Sequence, residues 1–315
     1  METLQETESK SVQVEVDYPG GEVDYAVAGS PSELHNPVFI VPGFSEGQAV
    51  LKNFAETLSE KGEREVIYPD QPKIKDKKPV LDHHAEALLA IIEKEGYIDK
   101  PVDIIAQSFG VLVAVRAAEM AKERGLKCFD SEQGSNSVFV SPAGSNDKEN
   151  ILFLGARWLR FVGREASPIP ALSTLTKELD PEGKMAKAGQ KNVTADIAKT
   201  LKEVAVLSQK EKIYQDLGTI GLKPHVFGYA SGVLYPHKVI KKVLNENGEA
   251  LNGYSVPVDS GKIGAGSFKE FESKTGLKGK EAKKAWSHHY RNAGHNDLLF
   301  HPDRTVNAIL QIWDK

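Results

Sequence analysis

A single cysteine, Cys128, in a chain of 315 residues excludes an intramolecular disulfide and any zinc site built on several thiolates. No stretch approaches the roughly 18 consecutive apolar residues of a membrane span. The opening METLQETESKSVQVEVD lacks a basic segment followed by an apolar run, so no secretion signal is expected and a reducing cytoplasm is the expected compartment. Charge of one sign is also missing: 40 Lys+Arg against 44 Asp+Glu leaves −4, without the basic excess of a nucleic-acid-binding protein. Apolar material is plentiful. Hydrophobic residues make up 40 % of the chain, with 12 Phe and 9 Tyr, enough for a full core and incompatible with wholesale disorder. The length allows one large domain or two ordinary ones.

The first ten residues are polar and acidic and read as a frayed end. SVQVEVDY and EVDYAVAG alternate apolar with polar on either side of PGG, which predicts an antiparallel hairpin at a sheet edge. From Pro37 to Pro42 the pattern becomes a short continuous apolar run, the signature of a strand buried on both faces. REVIYPD, VDIIAQS and SVFVSPAG read as further strands. Between them lie helices carrying Val50, Leu51, Phe54 and Leu58, then Leu81 to Ile92, then FGVLVAVRAAEMAKERG. Strands alternating with helices of this length predict a mostly parallel central sheet covered by helices on both faces. From about Asn146 to Gly221 the alternation stops and only helical periodicity remains, with Leu154, Trp158, Phe161 and Val162 on one face. Strand character returns in PHVFGYA, a short helix follows from Pro236, and Gly248 to Lys284 reads as a polar, Gly- and Lys-rich connection. WSHHYRNAGH reads as the last strand and HPDRTVNAILQIWDK as the final helix. The expected organisation is an α/β core of residues 1–145 and 222–315, interrupted by a helical cap at 146–221.

One segment carries chemistry. Val102 to Ala106 is an apolar strand ending in a small residue; Gln107, Ser108, Phe109 and Gly110 follow, and an apolar helix starts at once. A serine on such a sharp strand-to-helix turn is lifted clear of the sheet and stands at the positive end of the helix dipole. Ala106 and Gly110, two before and two after it, are expected to pack against each other and therefore to be small.

With the Val41-Pro42-Gly43-Phe44 turn, Tyr68-Pro69-Asp70, the Ser108 elbow and the Gly294-His295-Asn296-Asp297 turn, the chain resembles the α/β-hydrolase superfamily over most of residues 11–145 and 222–315. The resemblance implies Ser108 as nucleophile, His295 as its base, and the backbone N–H groups of Phe44 and Phe109 as the oxyanion hole. It implies no cofactor. It also implies an acid after PHVFGYA, where this chain reads Gly228-Tyr229-Ala230-Ser231-Gly232. Asp259, within VPVDSG, keeps the order Ser, acid, His and is the preferred replacement. Asp147 after SVFVSPAG is a second, and a Ser-His dyad helped by water or Ser231 a third. The function expected is a serine hydrolase acting on a small-molecule carboxylic ester or related acyl substrate. The alternative is a non-catalytic ligand-binding or scaffolding protein that has lost its triad acid.

Other chemically suggestive residues read as structural. Asp70 reads as a loop carboxylate. His83-His84 and His288-His289 are adjacent pairs whose side chains diverge in a helix or a strand, so no metal is expected. GKIGAGS, from Gly261 to Ser267, lacks the Gly-Lys-Ser/Thr ending of a phosphate loop. The lysines from Lys274 to Lys284 read as a solvated face.

Overall fold

The computed structural model describes residues 12–44, 46–142, 217–227, 253–255, 272–273, 276–282, 297–300 and 302–313. The chain enters through strands β1 (Val12–Tyr18) and β2 (Gly21–Ala28), paired antiparallel about the Pro19-Gly20 turn. Gly20 has φ 111°, a conformation that residues with a Cβ rarely adopt. The alternation seen in the sequence is the alternation of burial: Val23 and Tyr25 of β2 point into the core while Glu22 and Asp24 are partly exposed.

The remaining strands are β3 (Val38–Val41), β4 (Val66–Pro69), β5 (Lys73–Ile74), β6 (Asp103–Gln107), β7 (Ser137–Val140), β8 (His225–Phe227) and β9 (Gly253–Ser255). Among the described residues they form one sheet in the order β1-β2-β4-β3-β6-β7-β8-β9, with β5 paired to β2. From β4 through β9 every pairing is parallel, while β2 runs antiparallel to its neighbours. Every residue of β3, β4, β6 and β7 is buried. The sheet is therefore covered on both faces, as the continuous apolar runs predict.

Period-two alternation divides these strands between two cores. Phe39, Val41, Ile104, Ala106 and Phe139 face helices α2 (Val80–Lys94) and α3 (Phe109–Glu123). Val38, Ile40, Ile105, Val138 and Val140 face α1 (Gln48–Gly62), α4 (Asp297–Phe300) and α5 (Pro302–Trp313). The mostly parallel α/β class expected from the alternation is the class observed, and the final helix lies within HPDRTVNAILQIWDK as read.

Residues 253–255, read as part of a polar connection, form strand β9 beside β8. Three residues are too few to show a period, and only pairing with β8 makes them a strand. The predicted strand WSHHYRNAGH and almost all of the cap at 146–221 lie outside the described residues. Near the end of that span, Leu217–Ile220 form a short 3₁₀ turn against α3; Leu217 is buried and Lys122 Nζ donates to the Thr219 carbonyl at 2.6 Å.

The N-terminal ends of four central strands are tied by one carboxylate. Asp103 opens β6 and is 1 % exposed. It accepts from Asn36 Nδ2 before β3 at 3.1 Å, from Arg64 Nη1 before β4 at 2.7 Å, and from Asn136 N and Nδ2 before β7 at 2.8 and 3.0 Å. The Arg64 guanidinium is itself buried and stands 4.5 Å over the Trp313 ring of α5. Removing one partner of such a pair strands the other charge in the interior. Asp103→Ala is expected to lower the unfolding free energy by about 3–5 kcal/mol. Urea titration checks this, and the double replacement Arg64→Leu, Asp103→Leu should cost less than the two single changes added.

Candidate active site

The chemistry-bearing turn sits where β6 ends. Val41 of β3 is in register with Ala106, and Gln107 with Val140 of β7, so the ends of three parallel strands lie side by side. Ser108 follows, with φ 51° and ψ −116°, as the residue before the first turn of α3. A non-glycine residue held there carries about 1–3 kcal/mol of strain. The surroundings enforce it: Ser108 N donates to the Val140 carbonyl at 2.9 Å, and the Ser108 carbonyl accepts from Val111 N at 3.1 Å. The Ser108 hydroxyl makes no capping bond to the helix it precedes. Ser108 is 5 % exposed.

A close approach of main chain requires the small residue at position 110. A Cβ on Gly110 would lie 2.2 Å from the Val41 carbonyl oxygen and 2.5 Å from that of Pro42. Its nearest neighbours are thus backbone atoms where the chain leaves β3, which cannot swing aside. This approach sets the start of α3 against the loop that leaves β3. Phe109 is buried at the first position of α3, where a backbone N–H has no partner within the helix.

That loop contains a group the sequence reading passed over. Glu46 is buried, and its Oε2 accepts the Gly43 N–H at 2.7 Å, while the Glu46 N–H donates back to the Gly43 carbonyl at 3.2 Å. The carboxyl comes so close that a Cβ on Gly43 would meet its atoms at 2.8 to 3.0 Å. From the loop after β4, Gln71 Nε2 donates to the Glu46 carbonyl. Among the described residues no cation pairs with Glu46. Burial pushes its carboxyl up to about 8, against the smaller opposing effect of the Gly43 N–H. The available signal was a lone acidic residue between a strand end and an apolar helix, too weak to separate from a solvated loop residue.

Beside this loop, Val41, Pro42, Asp70, His84, Leu88 and Val113 line a cavity of about 20 Å³. That is room for about one water, not for an acyl group. Asp70 behaves as the loop carboxylate it was read to be: its Oδ1 accepts the Gln71 N–H at 2.9 Å, and its own N–H donates to the Asp24 carbonyl at 2.7 Å. The two histidines of α2 diverge. His83 Nε2 lies 2.8 Å from Asp76 Oδ1, whereas His84 stands edge-on to Phe109 at 5.2 Å. Among the described residues no cluster of His, Cys, Asp and Glu is arranged to hold a metal ion.

Ser108, Phe109 and Phe44 are brought to the same end of the sheet; Phe44, in the turn after β3, is partly buried. His295, Asp259, Asp147 and Ser231 lie outside the described residues, as do the Gly261–Ser267 segment and the His288-His289 pair.

No family model matches the sequence, and no curated protein matches it. Solved structures do. A thermophilic esterase from Thermogutta terrifontis aligns at 15 % identity and a TM-score of 0.60, covering 96 % of this chain and 97 % of its own. A bacterial membrane phospholipase A aligns at 17 % and 0.62, over 96 % and 86 % of the two chains. A bromoperoxidase from Bacillus anthracis aligns at 12 % and 0.62, over 97 % and 100 %. The chain has the α/β-hydrolase fold. At these identities the likeness extends to the fold and not to the reaction. Among the described residues of this α/β-hydrolase fold, no helix is long and apolar enough to cross a membrane.

The buried carboxyl has a measurable consequence for stability. Folding raises the Glu46 pKa from 4.5 to about 8. Between those values the native chain holds a proton that the unfolded chain has released, so stability falls as pH climbs through this window. Glu46→Gln removes the linkage. The melting-temperature difference between variant and wild type should be small at pH 4.5, widen in favour of Gln up to pH 8 or 9, and then level off. Over the window the gain is on the order of a few kcal/mol.

Proposed function

We propose that this protein is a serine hydrolase that cleaves a small-molecule carboxylic ester or related acyl compound through an acyl-enzyme. The observation that carries the reading is the strained Ser108, directly before α3, whose first turn packs at Gly110 against the Val41 and Pro42 carbonyls. Strain at a buried polar residue, held from both sides, has no evident structural use here; it presents a hydroxyl at a helix N-terminus. In the proposed reaction His295 accepts the Ser108 proton as Oγ adds to the substrate carbonyl. The N–H groups of Phe44 and Phe109 stabilise the oxyanion, and His295 returns the proton to the leaving alcohol. Water then adds to the acyl-enzyme by the same route and frees the acid. No cofactor takes part. Asp259 is the proposed acid, holding the His295 ring in the tautomer that accepts from Ser108.

Residues 146–221 are proposed to cap the entrance, their apolar face around Leu154, Trp158 and Phe161 favouring an acyl or alkyl group over a sugar or phosphate. The sequence after β8 supports a second reading, because Ser231 and Gly232 stand where the fold's acid is expected. In that reading the protein binds a ligand without turning it over.

An aryl fluorophosphonate and p-nitrophenyl butyrate separate the two. Wild-type protein should be labelled and should cleave the ester; Ser108→Ala should fold normally and do neither. Wild type that takes up no probe and cleaves no ester or thioester belongs to the binding reading. Asp259→Asn should lower kcat by up to about 10⁴ with unchanged thermal stability, and an undiminished kcat removes Asp259 as the acid. Trp158→Ala should alter the ratio of activity on butyrate and octanoate esters more than it alters labelling by the small probe; equal loss on all three makes Trp158 purely structural.

A further inference from the structure

The loop between β3 and α1 is shaped by a carboxyl that the proposed reaction does not use. A surface glutamate at this position would cost nothing, whereas this one is buried without a cation among the described residues and accepts a backbone N–H at 2.7 Å. Burying a carboxyl with so little compensation is expensive, and the raised pKa of about 8 is the sign of that cost. What the carboxyl achieves is local. Glycine at 43 lets the side chain come close but also frees the peptide to rotate. The bond from Gly43 N to Glu46 Oε2, the return bond from Glu46 N to the Gly43 carbonyl, and the Gln71 amide on the Glu46 carbonyl remove that freedom.

We propose that Glu46 is a positioning residue for the oxyanion loop: by taking the Gly43 N–H it fixes this peptide and leaves the next N–H, that of Phe44, to face the reacting carbonyl. The inference rests on the acyl-transfer reading of Ser108. It adds a residue that touches neither substrate nor reacting atoms and acts through the backbone of its own loop.

The position of Glu46 gives the role a pH signature. The groups known to face its loop are the Gly43 N–H and, from the segment after β4, Gln71, whose own N–H is bonded to the Asp70 carboxylate. His84 of α2 stands across the small cavity beside Pro42, against Phe109. Below about pH 8 Glu46 is neutral, and above it a negative charge develops in a buried loop beside the forming oxyanion. Like charges oppose each other there, so turnover falls as Glu46 ionises. Glu46 ionisation therefore supplies an alkaline limb to the profile.

The test uses the full chain with p-nitrophenyl butyrate from pH 6 to 10, the aryl fluorophosphonate, and thermal unfolding of each variant. Glu46→Ala should lower kcat by about 10- to 100-fold, the scale of a misplaced oxyanion donor, with KM changed by less than about threefold. Glu46→Gln keeps an oxygen that accepts the Gly43 N–H and cannot ionise. It should restore most of the rate at pH 7 and abolish the fall near pH 8. A Glu46→Ala kcat equal to wild type, a loss confined to KM, or a Glu46→Gln profile that still falls near pH 8 overturns the proposal. If Glu46→Ala does not fold, the Glu46→Gln profile decides alone. Wild type unreactive toward both probe and ester overturns the Ser108 reading and this inference with it; a reactive wild type, silenced by Ser108→Ala but indifferent to Glu46, overturns this inference only.

Discussion

The end of this sheet that carries Ser108 depends on how closely α3 approaches the end of β3. With no Cβ at position 110, the first turn of the helix lies against the Val41 and Pro42 carbonyls, where a methyl group would intrude to 2.2 Å. The chain leaving β6 must reverse into α3 within one residue, so Ser108 takes a φ of 51°. The Phe109 N–H is left without an intrahelical partner beside the loop that carries Gly43 and Phe44. The β7 carbonyl of Val140 holds the Ser108 N–H from the other side. A strained residue persists only where its neighbours leave it no alternative, and here a strand, a helix and a loop together leave none.

Two buried carboxylates mark the two ends of the same sheet and obey different rules. Asp103, at the N-terminal ends of the strands, has a guanidinium and two asparagine side chains around it, and each partner precedes a different strand. Such an arrangement fixes register, because every donor must be in place for the charge to be compensated. Glu46, at the C-terminal ends, has one backbone N–H on its carboxyl and no cation among the described residues. Its stability is best when it is protonated. The contrast fits the general division of open parallel sheets, in which the carboxyl ends of the strands carry the ligand crevice.

What could be read in the sequence is what repeats or what carries a spacing. The β1–β2 hairpin shows as period-two alternation, β3, β4, β6 and β7 as continuous apolar runs, and the elbow as a small residue, Ser108 and Gly110 between a strand and a helix. Strand β9 escaped, since Gly253-Tyr254-Ser255 has neither length nor pattern and is a strand only through its partner β8. The reason for Gly110 escaped as well. Smallness two residues after the serine is visible in the chain, but the carbonyls that demand it come from β3, about 70 residues earlier. Glu46 and Asp103 were legible as residues and not as buried groups, because burial of a single charge leaves no periodic trace.

This difference also explains why the fold is recognisable at 11–17 % identity while the acid is not. The elbow and the loop after β3 are built from backbone: a positive φ, N–H groups at the start of a helix, a glycine where two main chains meet. Many sequences satisfy those demands, so the geometry outlasts the similarity. A triad acid is a side chain that has only to reach one face of a histidine, and any loop of suitable length can supply it. Where Ser231 and Gly232 stand after β8, the other loops of the same end therefore remain able to supply one. The proposed acyl-transfer role gives the Ser108 strain a use. A chain that had abandoned nucleophilic chemistry would be free to relax that turn, since substitutions easing about 1–3 kcal/mol of backbone strain are stabilising and readily accepted once no function opposes them. Here Ser108 holds φ 51°.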